Sequence, residues 1–145
     1  MPVELLRQEF TVQGRNFDKA GEVSSEIKVI LKGLGIDGEI IRRVVVVSFE
    51  AEMNVTMYAT RGIISFVLTD ESIELTIKDE GPGIPDIELA MQEGYSTASD
   101  EMREMGFGFG MGLPNMKKNS DIFRIESTVN QGTTVYSIIG HNASA

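Results

Sequence analysis

Apolar and polar residues alternate loosely from Glu4 to Val12, with Phe10, Thr11 and Val12 near the end of the run. This pattern predicts an edge strand. Gly14-Arg15-Asn16 reads as a turn. Ala20, Val23, Ile27, Ile30 and Leu31 then recur at helical spacing, so a helix is expected to run to about Lys32, capped by Asn16 or Asp18. Gly33-Leu34-Gly35 ends it, and Asp37 caps a second helix. Here two signals conflict. Val44-Val45-Val46-Val47 has strong β propensity. Yet Ile40, Val44, Val47 and Ala51 fall at helical spacing, as do Ile41, Val45 and Ser48, and no breaker interrupts Glu39 to Thr60. Periodicity outweighs propensity, and a helix ended by Gly62 is predicted.

Ile63 to Thr69 and Ile73 to Lys78 read as a β-hairpin around Asp70-Glu71-Ser72. Pro85-Asp86 starts a short helix through about Gln92. The polar stretch from Gly94 to Met105 has no apolar period and is expected to form a mobile lid. Leu113 to Asn119 reads as a helix. Phe123 to Val129 and Thr133 to Ile139 form a last hairpin around Asn130-Gln131-Gly132, and His141 to Ala145 is expected to fray. The order β-α-α-β-β-α-lid-α-β-β predicts one α/β domain over residues 1–140. Its expected form is a two-layer sandwich: a mixed, mainly antiparallel sheet covered by helices on one face.

Composition narrows the partners. At 145 residues the chain is long enough for one domain with a real core, and 41% hydrophobic content suits a folded globule. A net charge of −9 and a pI near 4.6 argue against nucleic acid as the main partner. Such a protein would have to bind an anionic nucleotide through local N–H groups, a metal and a few cations. With no cysteine there is no disulfide framework and no thiolate chemistry. Met1-Pro2-Val3-Glu4 lacks the basic and apolar regions of a signal peptide, and no apolar run reaches membrane-spanning length. A cytoplasmic location is expected.

Three stretches carry candidate chemistry. Asp79-Glu80-Gly81-Pro82-Gly83-Ile84 follows a strand, and Gly106-Phe107-Gly108-Phe109-Gly110-Met111-Gly112-Leu113-Pro114-Asn115 leads into a helix. Glycine lets backbone approach a ligand, and successive N–H groups near a helix start make a nest for phosphate. Glu50, Asn54 and Tyr58 lie one turn apart on one helix face. A carboxylate and an amide stacked in this way can serve a metal and a nucleophile together; the competing reading is a solvated polar stripe. The common nucleotide motifs fail. No Gly-Lys-Ser/Thr follows a glycine loop, and the glycines at every second position do not fit the dinucleotide fingerprint.

Taken in order, Glu50-x-x-x-Asn54, Asp79-x-Gly81-x-Gly83, Gly108-x-Gly110-x-Gly112-Leu113 and Gly132-Thr133-Thr134 resemble the four nucleotide-binding boxes of the GHKL ATPase superfamily (gyrase B, Hsp90, histidine kinases, MutL). Within it the chain is similar to the small anti-sigma factor and switch-protein serine kinases (RsbW- and RsbT-like). The resemblance covers about Glu4 to Ile139 and implies a Bergerat-type fold that binds ATP and Mg²⁺. It implies that Asp79 accepts a hydrogen bond from the adenine amine. Gly81 belongs to the same box, Gly83 leaves room for the base, and Ile77 and Ile84 line its pocket. One of Thr133 and Thr134 supports the adenine; they alternate on a strand, so only one can face inward. Asn54 would ligate Mg²⁺, and Tyr58 stands where many relatives carry His. Gly108, Gly110 and Gly112 would wrap the phosphates, and Gly106, Met111 and Leu113 would belong to the same nucleotide-binding site. Glu50 would orient or deprotonate a substrate hydroxyl or a water. Arg103 is the candidate lid cation, with a solvated arginine as the competing reading.

The implied activity is a serine/threonine protein kinase acting on a STAS-domain anti-sigma-factor antagonist. The alternative is an ATP-gated module that binds a sigma factor or a phosphatase without phosphoryl transfer. A slow ATPase subunit is a weaker third reading. Relatives often form homodimers, and the strand at Glu4 to Val12 could take part.

Overall fold

The computed structural model describes residues 2–94 and 112–141. Its strands are β1 (Glu4–Gln13), β2 (Arg61–Thr69), β3 (Ser72–Glu80), β4 (Ile122–Thr128) and β5 (Gly132–Gly140). Its helices are α1 (Glu22–Gly33), α2 (Gly38–Tyr58), α3 (Ile87–Ala90) and α4 (Gly112–Lys118). The five strands make one sheet in the order β1-β2-β3-β5-β4, and every pairing among them is antiparallel. The sheet, expected to be mainly antiparallel, is antiparallel at every pairing among the described residues. The two-layer arrangement holds. β2 and β3 bury alternate residues, including Ile64, Phe66, Ile73 and Leu75, on the face that meets α1 and α2.

The valine run is helical. Val44 and Val47 are fully buried, so β-branched side chains fill the layer between helix and sheet and tertiary packing overrides their propensity. Asp37 caps α2, accepting from the Glu39 N–H at 3.1 Å. The helix ends at Tyr58, not at Gly62. Gly62 lies in β2, where an added methyl would stand 2.8 Å from Val55 Cγ2. That glycine lets α2 run close over the sheet rather than stopping it.

The start of α1 also differs from expectation. Asn16 and Asp18 flank or sit in a single 3-10 turn, Phe17–Lys19, and Asn16 makes no side-chain cap bond. The helix begins at Glu22, after Gly21 at φ +95°. Its cap comes from α2. The buried Glu52 carboxylate accepts from the N–H groups of Gly21 (3.0 Å), Val23 (3.2 Å) and Ser24 (3.2 Å).

His141 is not frayed. Its N–H donates to the Glu71 carbonyl at 2.9 Å, and its Nε2 lies 2.7 Å from the Thr69 carbonyl. Residues 142–145 lie outside the described residues. Among the described residues, no helix is long and apolar enough to cross a membrane.

Candidate functional site

The crossover from β3 to β4 returns the chain so that β5 pairs with β3. The end of β3 and the start of β5 therefore meet, with Lys78 opposite Thr134. Asp79 and Thr133 stand side by side on the face turned to the helices. The Thr133 N–H donates to Asp79 Oδ1 at 3.0 Å. Thr133 is buried, whereas Thr134 falls on the other face by strand alternation. Of the two threonines expected at the base, only Thr133 can serve.

Gly81 and Gly83 have packing duties. A methyl on Gly81 would meet Ala59 Cα at 3.1 Å, so the loop after β3 lies on the end of α2. Gly83 adopts φ +77°, and a Cβ there would stand 2.5 Å from the Thr128 carbonyl oxygen. The space beside Gly83 where a Cβ would stand is thus taken by the β4–β5 hairpin. Ile77 is in the core, and the Ile84 N–H donates to Ser127 Oγ at 2.7 Å.

At the other end of the site, α2 presents Glu50 and Asn54, both half-buried. α4 begins directly against them. A methyl on Gly112 would stand 3.2 Å from Glu50 Oε2 and 3.4 Å from Asn54 Oδ1. The first residue of the helix after the glycine box thus has no room for a side chain beside the two candidate polar groups. Leu113 packs on the core, as does the fully buried Met116. Tyr58, one turn beyond Asn54, packs with Met53, Met57 and Phe17. It also lines an open depression of about 590 Å³ with Ala59, Thr60, Glu80, Gly81 and Asn130. That depression does not reach Glu50, Asn54 or Asp79. Arg103, Gly106, Gly108, Gly110 and Met111, together with Met102 and Met105, lie outside the described residues.

The carboxylates are tuned by burial. Desolvation pushes Glu50 above its ordinary value, against a hydrogen bond from the Asn115 side chain. Burial likewise raises Asp79, opposed by the Thr133 N–H, and Glu52, opposed by the N–H groups it caps. A carboxyl raised in the folded state binds protons there that the unfolded chain has already released. Its contribution to stability is greatest at low pH and is lost as pH rises through the folded-state value. Asp79→Asn is therefore expected to make the ligand-free protein more stable than wild type near pH 7, with the gap closing toward about pH 4. Thermal midpoints at matched pH check this, and a variant less stable than wild type near neutrality would be the contrary result.

Three polar residues escaped the sequence reading. Glu52 lies at helical spacing with Ser48 and Thr56 on the buried side of α2, and a charge at such a position signals a buried partner. Ser127 pairs with Thr133 across the β4–β5 hairpin, a register set by the turn at Asn130-Gln131. Asn115 carried no signal of its own.

The family model for histidine kinase-, DNA gyrase B- and HSP90-like ATPases matches residues 36–140, and the chain belongs to that family. It is 30% identical to the serine/threonine-protein kinase RsbT of Bacillus subtilis (strain 168) over 113 residues, 75% of this chain and 79% of that one. It is 44% identical to the anti-sigma F factor of Geobacillus stearothermophilus over 73 residues, 50% of this chain and 47% of that one. The match thus spans about half the length of that relative. Among solved structures, the mycobacterial sensor histidine kinase MprB shares the fold, with a TM-score of 0.55, 15% identity and coverage of 94% of this chain and 98% of that one. The expected GHKL membership and fold are both met, and with them the use of ATP.

Proposed function

We propose that this protein is an ATP-dependent serine/threonine protein kinase that phosphorylates a STAS-domain antagonist of an anti-sigma factor. The observation that carries the proposal is the meeting of Glu50, Asn54 and Gly112 where α4 starts against α2. A general base, a metal ligand and the end of a phosphate-binding glycine box share one corner. Asp79 and Thr133 lie at the base end, across the site. The 30% identity to RsbT over 113 residues supports the same reading.

In the transfer, Glu50 takes the proton of the substrate serine or threonine hydroxyl as its oxygen bonds to the γ-phosphorus, and the bond from that phosphorus to the ADP oxygen breaks. Such transfers rest mainly on positioning and charge stabilisation. The desolvated Glu50 carboxyl is a better base than an ordinary one. Among the described residues no cluster of three His, Asp or Glu could hold a metal by itself. The half-buried Asn54 amide oxygen on α2 is a hard oxygen donor of the kind Mg²⁺ takes, and it would hold that ion together with waters and phosphate oxygens. When bound, Mg²⁺ neutralises charge on the phosphates. Arg103 would add a cation from the lid, and Gly106, Gly108, Gly110 and Met111 would supply N–H groups to the phosphates. A cytoplasmic location and a homodimer using the edge strand β1 belong to the same proposal.

A second reading, an ATP-gated module that engages a sigma factor or phosphatase, draws support from the 44% identity to an anti-sigma factor. One experiment separates the two. Purified protein is incubated with MgATP labelled at the γ-phosphate and a STAS-domain partner. Phosphoserine or phosphothreonine on the partner is the expected result. Label released only as inorganic phosphate would overturn the kinase reading, and ATP-dependent partner binding without transfer would favour the second.

A further inference from the structure

α4 lies along α2, and contacts at both of its ends fix the two in register. At the start, a methyl on Gly112 would stand 3.2 Å from Glu50 Oε2 and 3.4 Å from Asn54 Oδ1. Just past the far end, the Asn119 carbonyl accepts from Arg43 Nε at 3.1 Å, and Arg43 pairs with Asp121 at 2.9 Å. Gly112 and Asn119 are seven residues apart, and so are Glu50 and Arg43. The two segments therefore run antiparallel over the same two turns, roughly 10 Å. Asn115 lies between those ends, one turn on from Gly112. Its neighbours Pro114 and Met116 are buried, and its carbonyl accepts from the Asn119 side chain at 2.8 Å. With the helix so anchored, the Asn115 side chain hydrogen-bonds the Glu50 carboxylate. An ionised carboxylate only accepts, so the amide N–H donates. Among the described residues, no charged group faces Glu50 closely enough to compete with that bond.

We propose that Asn115 is a positioning residue for phosphoryl transfer: its amide holds one oxygen of the Glu50 carboxylate and so aims the other at the acceptor hydroxyl. The inference rests on the reading of Glu50 as the base. A glutamate side chain has several staggered rotamers, and only some present an oxygen to a hydroxyl seated over the site. Displacing a reacting group by about 1 Å can cost about 10²-fold in rate. The same bond favours the ionised carboxylate against the burial that disfavours it, so the base keeps its lone pair toward neutral pH. One carboxylate has room for both tasks, because its two oxygens offer about four acceptor sites and Asn115 takes one. Asparagine is a weak helix former, so the backbone does not explain its place in the middle of the seven-residue α4. The carboxylate opposite does.

The test measures single-turnover transfer from γ-labelled MgATP to a STAS-domain partner, between about pH 5.5 and 9. Wild type, Asn115→Leu, Asn115→Asp, Glu50→Gln and the Glu50→Gln/Asn115→Leu double variant are compared, with circular dichroism confirming the fold. Asn115→Leu keeps the size of the side chain and removes the donor. It should lower transfer by about tenfold near pH 7. The acidic limb of its pH–rate profile should move to higher pH, because losing the donor raises the Glu50 carboxyl further, and the deficit should shrink toward the alkaline end. Asn115→Asp sets a second carboxylate against Glu50 and should move the limb further still. MgATP affinity should stay within about threefold of wild type in both, and Asn115→Leu should cost nothing more in the Glu50→Gln background. An equal deficit at every pH, or one that persists in Glu50→Gln, would make Asn115 a structural residue and overturn the inference. Wild-type transfer in both Asn115 variants would overturn it too, with the base reading intact if Glu50→Gln is impaired. Glu50→Gln transferring like wild type would overturn the base reading on which the inference stands. A wild type that transfers nothing to the partner would overturn the kinase reading itself.

Discussion

Glu50→Gln is expected to lower phosphoryl transfer to the protein substrate by about 10²–10⁴-fold. Glutamine keeps the size of the side chain and an oxygen that can accept from Asn115. It removes the one property that the proposed step needs, a lone pair able to take a proton at neutral pH. MgATP binding should stay within a few fold of wild type, because the carboxylate acts on the hydroxyl and not on the nucleotide. Removing a negative charge beside the phosphates should, if anything, tighten ATP. Single-turnover transfer with saturating partner separates the chemical step from binding. Transfer within about threefold of wild type would take the base away from Glu50 and leave positioning alone to explain the rate.

The second large effect is structural. Gly132→Ala places a methyl 2.1 Å from the Asp79 carbonyl oxygen, at a backbone φ of +150°. The obstructing atom is main chain within the β3–β5 ladder, so relief requires the strands to part. Strain and overlap together are expected to cost about 2–5 kcal/mol, lowering the thermal midpoint by roughly 10 °C. The loss should extend to ATP, because Asp79 moves with its backbone. Gly33→Ala is the control. It lies in α1 with nothing within 4 Å of a new Cβ, and it should be neutral or stabilising by up to about 1 kcal/mol. If both substitutions gave midpoints within about one degree of wild type, the close approach of β5 to Asp79 would not exist in solution.

The elements were legible because their periods are strong. α2 is the clearest instance: four successive valines argue for a strand, yet the spacing of Ile40, Val44, Val47 and Ala51 argues for the helix that forms. The hairpins were legible from alternation and turn residues. What escaped depends on contacts distant in sequence. The cap of α1 could not be found near Asn16 or Asp18, because it is a carboxylate on the next helix. Gly62 looks like a helix stop, and it instead admits a neighbouring segment. Alternation told that one of Thr133 and Thr134 faces inward. Only the pairing with β3 decides for Thr133. Glu50, Asn54, Asp79 and Thr133 were singled out by motif spacing, and the fold brings Asp79 to Thr133. Ser127 and Asn115 were not, since each acts through another side chain.

Glu52 has a consequence for how the chain assembles. α1 carries no start signal of its own; its first N–H groups wait for a carboxylate 29 residues on from Val23. Until that stretch exists and docks, the opening turn of α1 has only water as a partner, and a short isolated helix is marginal in water. The opening turn of α1 is therefore satisfied only when α1 and α2 are packed together. The helix that carries Glu50 and Asn54 on its half-buried face is also the one whose carboxylate closes the open end of α1.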